Sequence, residues 1–301
     1  MRMPADKGEL PPAIFDRCLI RRRLARAAAA GSECFLIFHA IEEFVERLAS
    51  IKREFRSVLD AGTPSPQLAE RLADILNPPL FVRMAPLAAL AGTLPLVRLA
   101  GAEEDLPFAP EIFDLAVSVL SLQNLNDLPG ALVQLRRVLK PDGLFLGCLL
   151  GGHSLLELRT ALAVAETEIF GGVSPRVAPF ADVRDMGGLL QRAGFALPVA
   201  DSEPLTVRYS DMFGLMRDLR GMGATNALVT RRRKPATKRF FMRAANIYAE
   251  RYADPDGRVR ATFELIFLSG WAPHESQQKP LAPGSAKMRL ADALKSKPPG
   301  S

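Results

Sequence analysis

The feature that most constrains this sequence is the alternation of short apolar runs with amphipathic stretches between residues 57 and 150. The amphipathic stretches carry leucines every three or four residues, which is the spacing of a helix with one buried face. The apolar runs have the length and composition of buried strands. They are SVLDAG (57–62), LFVRM (80–84), PLVRLA (95–100), FDLAVSVLSL (113–122) and LFLGCLL (144–150). Strands that alternate with helices predict an α/β fold with a doubly wound, mainly parallel sheet.

The flanking segments predict a further division of the chain. Residues 1–56 are interpreted as an N-terminal helical segment, with helical spacing of apolar residues over 14–56. Residues 57–273 form the main domain, within which a helical lid is expected at about 200–253. The segment 274–301 is rich in Pro, Gly, Ser and Lys, a composition typical of a flexible tail.

Composition excludes several classes of protein. Apolar residues make up 48% of the 301 residues, enough for a sizeable core, and the three cysteines are too far apart in sequence for a disulfide scaffold or a zinc site. The apolar runs are shorter than the roughly 20 residues that span a bilayer. The polar N-terminus lacks the apolar centre of a signal peptide. We therefore expect a cytoplasmic protein without a membrane span.

The net charge is +6, and two basic clusters, at 21–31 and 231–243, contain no acidic residue. A nucleic-acid patch is one interpretation of them. Few aromatic residues accompany the first cluster, so bases would find few stacking partners. We favour solvated helix faces and a basic loop, and do not expect nucleic acid as a partner.

The loop after the first predicted strand begins like a cofactor loop, with Asp60 and Gly62, but continues with Pro64 and Pro66. Proline fixes φ near −65° and has no N–H to donate. Ser65 and Pro66 suit the first positions of a helix. The loop is thus either an altered cofactor loop or a turn that only starts a helix, and the residues favour the turn.

The block LPFAPEIFDLAVSVLSLQNLNDLPGALVQLRRVLKPDGLFLGCLLGG (106–152) resembles the second half of class I S-adenosylmethionine-dependent methyltransferases. Further segments are similar to one subgroup, mitochondrial complex I assembly factor 5 and its bacterial relatives, which also resemble the biotin-pathway methyltransferase. They are VSPRVAPFADVRDMGGLLQRAGF, MFGLMRDLRGMGATNAL, IYAERYADPDGRVRATFE and GWAPHESQQKPLAPGSA. The resemblance implies a seven-stranded methyltransferase-like sheet with N-terminal helices and a helical lid insertion.

The same resemblance implies the cofactor and the partners. The cofactor is S-adenosylmethionine, and its expected contacts are Asp60, Gly62, Glu103, Glu104 and Leu120. The partner is a respiratory complex subunit or a small-molecule substrate. The activity of the mitochondrial member is arginine hydroxylation, whereas the wider fold implies methyl transfer.

Four departures from the family pattern fall in this one expected pocket. Pro64 and Pro66 replace glycines of the loop D-x-G-x-G-x-G, and no acid lies between Asp74 and Glu103 to bind the ribose. Ala102 stands where an acid should hold the adenine amine, with Glu103 and Glu104 adjacent. The fourth departure is Leu122-Gln123-Asn124 where the subgroup reads L-H-W.

Two readings of function remain open from the sequence. One is an active S-adenosylmethionine-dependent enzyme, and the other is a non-catalytic assembly or binding factor on the same scaffold. His153, after the fifth strand, is the one candidate general base. No metal site is expected. The methionine-rich segment 212–222 is either a partner interface or a face that covers the sheet, and Arg217 and Arg220 beside it suit an acidic ligand.

Overall fold

A computed structural model describes residues 13–31, 34–90, 92 and 96–278. The helices are α1 (Arg17–Ala29), α2 (Phe35–Ala49), α3 (Gln67–Leu76), α4 (Leu128–Val138), α5 (Leu156–Phe170), α6 (Val183–Arg192), α7 (Met212–Gly221) and α8 (Lys238–Tyr252). The strands are β1 (Ser57–Ala61), β2 (Leu80–Ala85), β3 (Val97–Ala100), β4 (Phe113–Val119), β5 (Leu139–Leu150), β6 (Ala196–Tyr209) and β7 (Val259–Trp271).

The seven strands form one sheet in the order β3-β2-β1-β4-β5-β7-β6. The first five are parallel, and β7 runs antiparallel to both of its neighbours. The predicted doubly wound, mainly parallel seven-stranded sheet is confirmed.

Alternate residues of each central strand supply two separate cores. Val58 of β1 packs into a cluster with α2, α3, α5, α7 and α8, whereas Leu59 packs into a cluster with α4 and α6. Successive side chains of a strand point to opposite faces, so a strand covered on both faces must be apolar throughout. This is why the central strands read as continuous apolar runs.

Two boundaries differ from the sequence predictions. The helical pattern over 14–56 is two helices, because Gly31 adopts φ +62° after α1. The lid expected from about residue 200 starts later, because residues 200–209 belong to the long edge strand β6. In the tail expected over 274–301, residues 279–301 lie outside the described residues.

Within the part of the chain that the structure describes, helices are too short or too polar for one of them to cross a membrane.

Candidate functional site

A cavity of about 310 Å³ lies at the carboxyl edge of the sheet, between the loop after β1, helices α1 and α5, and the segment around α7. Most of its lining is apolar. Its polar and charged lining residues are Arg17, Arg21, Glu103, Ser121, Gln123, Asn124, Arg176, Arg220, Thr225 and Asn226. Open α/β sheets usually bind their ligands at this edge, in apolar cavities that contain a few polar groups.

The loop after β1 is built as a tight turn into α3. Gly62 has φ +83°, and its N–H donates to the carbonyl oxygen of Met84 at 2.7 Å, so glycine suits this position for backbone reasons. Pro66 has helical angles directly before α3, and the hydroxyl of Ser65 accepts the N–H of Gln67 at 3.3 Å. The structure thus shows the turn that starts a helix.

Asp60 forms a buried ion pair with Arg83, the residue beside it in register on β2. Both side chains are 0% exposed. The Arg83 guanidinium also donates to the carbonyl oxygens of Thr63 at 3.0 Å and Leu90 at 2.9 Å. Burial raises the pKa of the Asp60 carboxyl, and the positive charge of Arg83 opposes that shift. The Asp60 carboxylate is therefore used inside the fold and does not line the cavity.

Sequence reasoning missed Arg83. Its signal was a charged residue in the middle of the apolar run LFVRM, because a charge in a buried strand requires a partner.

Glu103 lies directly over the cofactor-type loop. Its side chain is 1% exposed and accepts a hydrogen bond from the Ser121 hydroxyl. A methyl group added to Gly62 would come within 1.9 Å of Glu103 Oε1, so the carboxylate fills the space above that glycine. Arg17, at the start of α1, approaches Glu103 Oε2 with Nη2 at 3.4 Å.

The other expected contacts are divided between the cavity and the surrounding fold. Leu120 lines the cavity together with Gly62 and Glu103, and its φ is +52°. Glu104 instead accepts the backbone N–H of Asn126 at 2.6 Å, outside the lining. At the end of β2, Met84 is fully buried.

Comparison with known proteins identifies the family. The chain is 37% identical to "Arginine-hydroxylase NDUFAF5, mitochondrial" of Danio rerio over 94% of this chain and 90% of that protein. The chain belongs to the NDUFAF5 family. It is also 34% identical to the malonyl-[acyl-carrier protein] O-methyltransferase of Methylovorus sp. (strain MP688), over 86% of this chain and 90% of that protein.

The fold of this NDUFAF5-family chain is that of S-adenosylmethionine-dependent methyltransferases. The family described as "Methyltransferase domain" matches residues 59–147. A putative methyltransferase from Bacillus halodurans C-125 superposes with a TM-score of 0.54 at 16% identity, covering 78% of this chain and 99% of that one. At this identity the likeness concerns the fold alone.

The described residues of this NDUFAF5-family chain do not fit S-adenosylmethionine in the manner of the fold. A carboxylate at the end of β2 would accept both ribose hydroxyls, but the chain places Met84 there. The Glu103 carboxylate occupies the space above Gly62. Pro64 and Pro66 have no backbone N–H for a ligand.

His153 lies apart from the cavity. Its ring is 72% exposed, and Nδ1 is 3.0 Å from Glu264 Oε2, which also accepts the backbone N–H of His153 at 2.9 Å. The structure does not bring it together with Gly62 or Glu103, since it is absent from the lining. A role for His153 as a general base stays a prediction.

The methionine-rich segment of the lid packs inward. Met212, Leu215 and Leu219 are buried, and Met216 and Met222 are partly buried against the same core. The stripe therefore covers the sheet and the cavity, and the interpretation as an exposed partner interface is wrong for these residues. Arg217 and Arg220 are exposed beside it, and Arg220 lines the cavity.

Residues of the second basic cluster are used in contacts within the protein. Arg231 pairs with Asp16 at 3.1 Å, and Arg243 pairs with Glu168 at 2.6 Å. The Arg232 guanidinium stacks 4.0 Å from the ring centre of Phe170. These contacts support the structural interpretation of the second cluster over a nucleic-acid patch.

His39, Glu43 and Glu203 form a group that could hold a metal ion, which sequence spacing did not indicate. All three are partly exposed, and none lines the cavity. Arg47 Nη2 lies 3.3 Å from Glu203 Oε2, so a cation already neutralises this group. It is therefore a weak metal site.

The segment after α5 is anchored beside the cavity by Glu166. This carboxylate is 1% exposed and accepts from Arg176 Nη2 at 2.8 Å and from the backbone N–H and hydroxyl of Ser174 at 2.9 and 2.7 Å. Burial opposes its ionisation, but the bonds from Arg176 and Ser174 outweigh burial and lower the pKa of Glu166.

Glu166→Gln is expected to reduce the free energy of unfolding by about 1–3 kcal/mol at neutral pH, since Arg176 loses its charged partner. A lowered folded-state pKa means that this stabilisation is present above the unfolded pKa of about 4.3 and is lost as pH falls through the folded value. In thermal unfolding, the difference in stability between wild type and variant should therefore shrink as the pH falls from about 7 to 3. The control is Glu168→Gln, whose exposed pair with Arg243 contributes little. Equal pH profiles for all three proteins would contradict the assignment.

Proposed function

We propose that this protein assists assembly of respiratory complex I by binding an arginine-bearing segment of a complex I subunit in the cavity between α1 and α7. The chain is similar to an arginine hydroxylase over nearly the whole length of both proteins, and this similarity supports the proposal. The observation that carries it is the position of Glu103. Glu103 is buried and is the one carboxylate among the described lining residues, so it is the group that can receive the cationic head of a side chain whose stem lies along the apolar walls.

The cavity performs recognition in this proposal. Its apolar walls hold the stem of the side chain, and Glu103 accepts hydrogen bonds from the guanidinium. The residues that line the cavity exclude water from the bound arginine side chain and orient it. In the first form of the proposal the bound arginine is hydroxylated, which also requires an oxidant. In the second form the protein only binds the arginine and acts as an assembly factor.

A genetic test separates the proposal from a role elsewhere in the cell. Deleting the gene in its native host should reduce fully assembled complex I on native gels and lower NADH-dependent quinone reduction. The wild-type gene should restore both. Ala178→Trp, which fills the cavity, should not restore them. Ala25→Trp, on the exposed side of α1 and outside the lining, is the matched control and should restore them.

The outcome that would contradict the proposal is normal complex I in the deletion strain, or full rescue by a folded Ala178→Trp protein. Mass spectrometry of the complex I subunits from the rescued strain distinguishes the two forms. One oxygen added to an arginine, present only with the wild-type gene, supports hydroxylation. Normal assembly without that oxygen supports binding alone.

The second candidate function is methyl transfer to a small acid or an acyl carrier, which the kinship with malonyl-[acyl-carrier protein] O-methyltransferases favours. The replaced loop glycines and the acid-free end of β2 argue against it. Transfer of label from S-adenosylmethionine to a malonyl carrier would establish it. The cytoplasmic location expected from the sequence stays a prediction, because the hydroxylase relatives are mitochondrial.

A further inference from the structure

Arg17 lines the cavity, and its guanidinium already lies beside Glu103. Arg17 is the first residue of α1, whose N-cap Asp16 accepts the N–H of Leu19. Arg17 Nη2 is 3.4 Å from Glu103 Oε2, and Nε is 3.8 Å from Glu104 Oε2. The group is thus held by two carboxylates.

A backbone carbonyl completes this arrangement. Arg17 Nη1 donates to the carbonyl oxygen of Asn124 at 3.1 Å. Gln123, the residue before Asn124, also lines the cavity, and its side-chain oxygen is buried with no hydrogen-bond partner among the described residues. This oxygen is an additional acceptor that Arg17 does not use. A planar guanidinium with five N–H donors matches such a set of acceptors better than an ammonium group does.

Glu103 depends on this cation. Among the ion pairs of the described residues, Arg17 is the one cation within 4.0 Å of Glu103, whose other charge-stabilising contact is the Ser121 hydroxyl. A carboxylate that is 1% exposed is costly to leave unpaired. If Arg17 leaves, another cation must take its place.

The helix that carries Arg17 buries few apolar side chains and is held mainly by polar contacts, among them Asp16 with Arg231 at 3.1 Å and Arg23 with the Thr225 carbonyl oxygen at 2.6 Å. In α1, the two buried residues are Leu19 and Ile20. The entry to the helix is tied by Asn126 Oδ1, which accepts the N–H groups of Ile14 and Phe15 at 2.8 Å each. Segments with little buried apolar area are those that open locally at low cost in free energy.

We infer that Glu103, Glu104 and the Asn124 carbonyl form a guanidinium-binding subsite, and that Arg17 is its intramolecular occupant. The inference rests on the proposed function in one respect, that the incoming ligand is an arginine side chain of a protein. That side chain exchanges with Arg17, and α1 moves away from the cavity as it does so. Arg17 therefore acts as a built-in competitor that keeps free arginine out and admits a segment that also displaces α1.

The consequence is quantitative. A tethered group competes at an effective concentration on the order of millimolar. Removing Arg17 should therefore tighten binding of a small arginine ligand about tenfold when the ligand's own dissociation constant is on the order of 0.1 mM.

The test is calorimetric titration of the full chain with N-acetyl-L-arginine methylamide. Arg17→Ala is expected to bind it about tenfold more tightly than wild type. The matched control is Arg22→Ala, an exposed arginine of the same helix outside the cavity lining, which should bind as wild type does. The double variant Arg17→Ala/Glu103→Gln should lose the gain. N-acetyl-L-lysine methylamide should gain less, because an ammonium cannot form the planar contact.

Equal affinities of folded Arg17→Ala and Arg22→Ala would overturn the inference. Should Arg17→Ala not fold, Arg17→Gln retains a donor toward Glu103 and should show the same direction of change. The two proposals fail separately. Tighter arginine binding by Arg17→Ala with normal complex I in the deletion strain leaves the subsite intact and removes the assembly role. Impaired complex I in the deletion strain, with no tighter arginine binding by Arg17→Ala, supports the assembly role and removes the subsite.

Discussion

Arg83→Met should lower the free energy of unfolding by about 3–5 kcal/mol, the usual effect of removing one partner of a buried ion pair. The Asp60 carboxylate would remain fully buried without its cation. The carbonyl oxygens of Thr63 and Leu90 would lose their donor as well. Urea unfolding at neutral pH measures the change, and the loop after β1 should become more open to proteolysis.

The control for this variant is Arg98→Met. Arg98 is the register partner of Arg83 on β3, but it is exposed, and among the described residues its side chain donates to the Gly92 carbonyl oxygen at 2.6 Å. Its loss should reduce stability by about 1 kcal/mol or less. The double variant Asp60→Leu/Arg83→Met should recover much of the lost stability, because neither charge is then left unpaired. If Arg83→Met were as stable as Arg98→Met, the ion pair would not hold the loop.

Calorimetric titration of the unmodified protein with S-adenosylmethionine should show no binding at micromolar concentrations. Hydrogen bonds to a charged group contribute about 1.5–3 kcal/mol each, and both ribose hydroxyls lack their carboxylate at Met84. That loss alone lowers affinity about 10²- to 10⁴-fold. The Glu103 carboxylate above Gly62 and the loop prolines weaken it further.

The positive control is the Methylovorus malonyl-[acyl-carrier protein] O-methyltransferase in the same titration. A dissociation constant in the micromolar range for this chain would contradict the prediction and would restore methyl transfer as the leading function.

The fold could be predicted from the sequence because its signals are local. A strand buried on both faces must be apolar throughout, and a helix packed on a sheet must repeat its apolar residues every three or four positions. The edge strand β6 carries a weaker local signal than the central strands. Its residues 196–209 alternate between partly exposed and exposed positions and include Pro198 and Pro204, so the apolar signal of a strand is weak there.

The sequence by itself determined what the candidate site lacks. The absence of an acid between Asp74 and Glu103 and the prolines in the loop are properties of residue identity, which no folding can change. They were sufficient to predict an altered cofactor site and a loop that starts a helix.

Only the tertiary structure decided which side chains fill the expected cofactor site and which pair with each other there. Arg83 pairs with Asp60 across 23 positions, and Arg17 reaches Glu103 across 86. Asp60→Asn would leave the Arg83 charge buried without its partner, so a large loss of stability is expected. Pairings of this kind depend on strand register and on the placement of α1 over the sheet. Both follow from burial of the whole chain, and local sequence does not encode them.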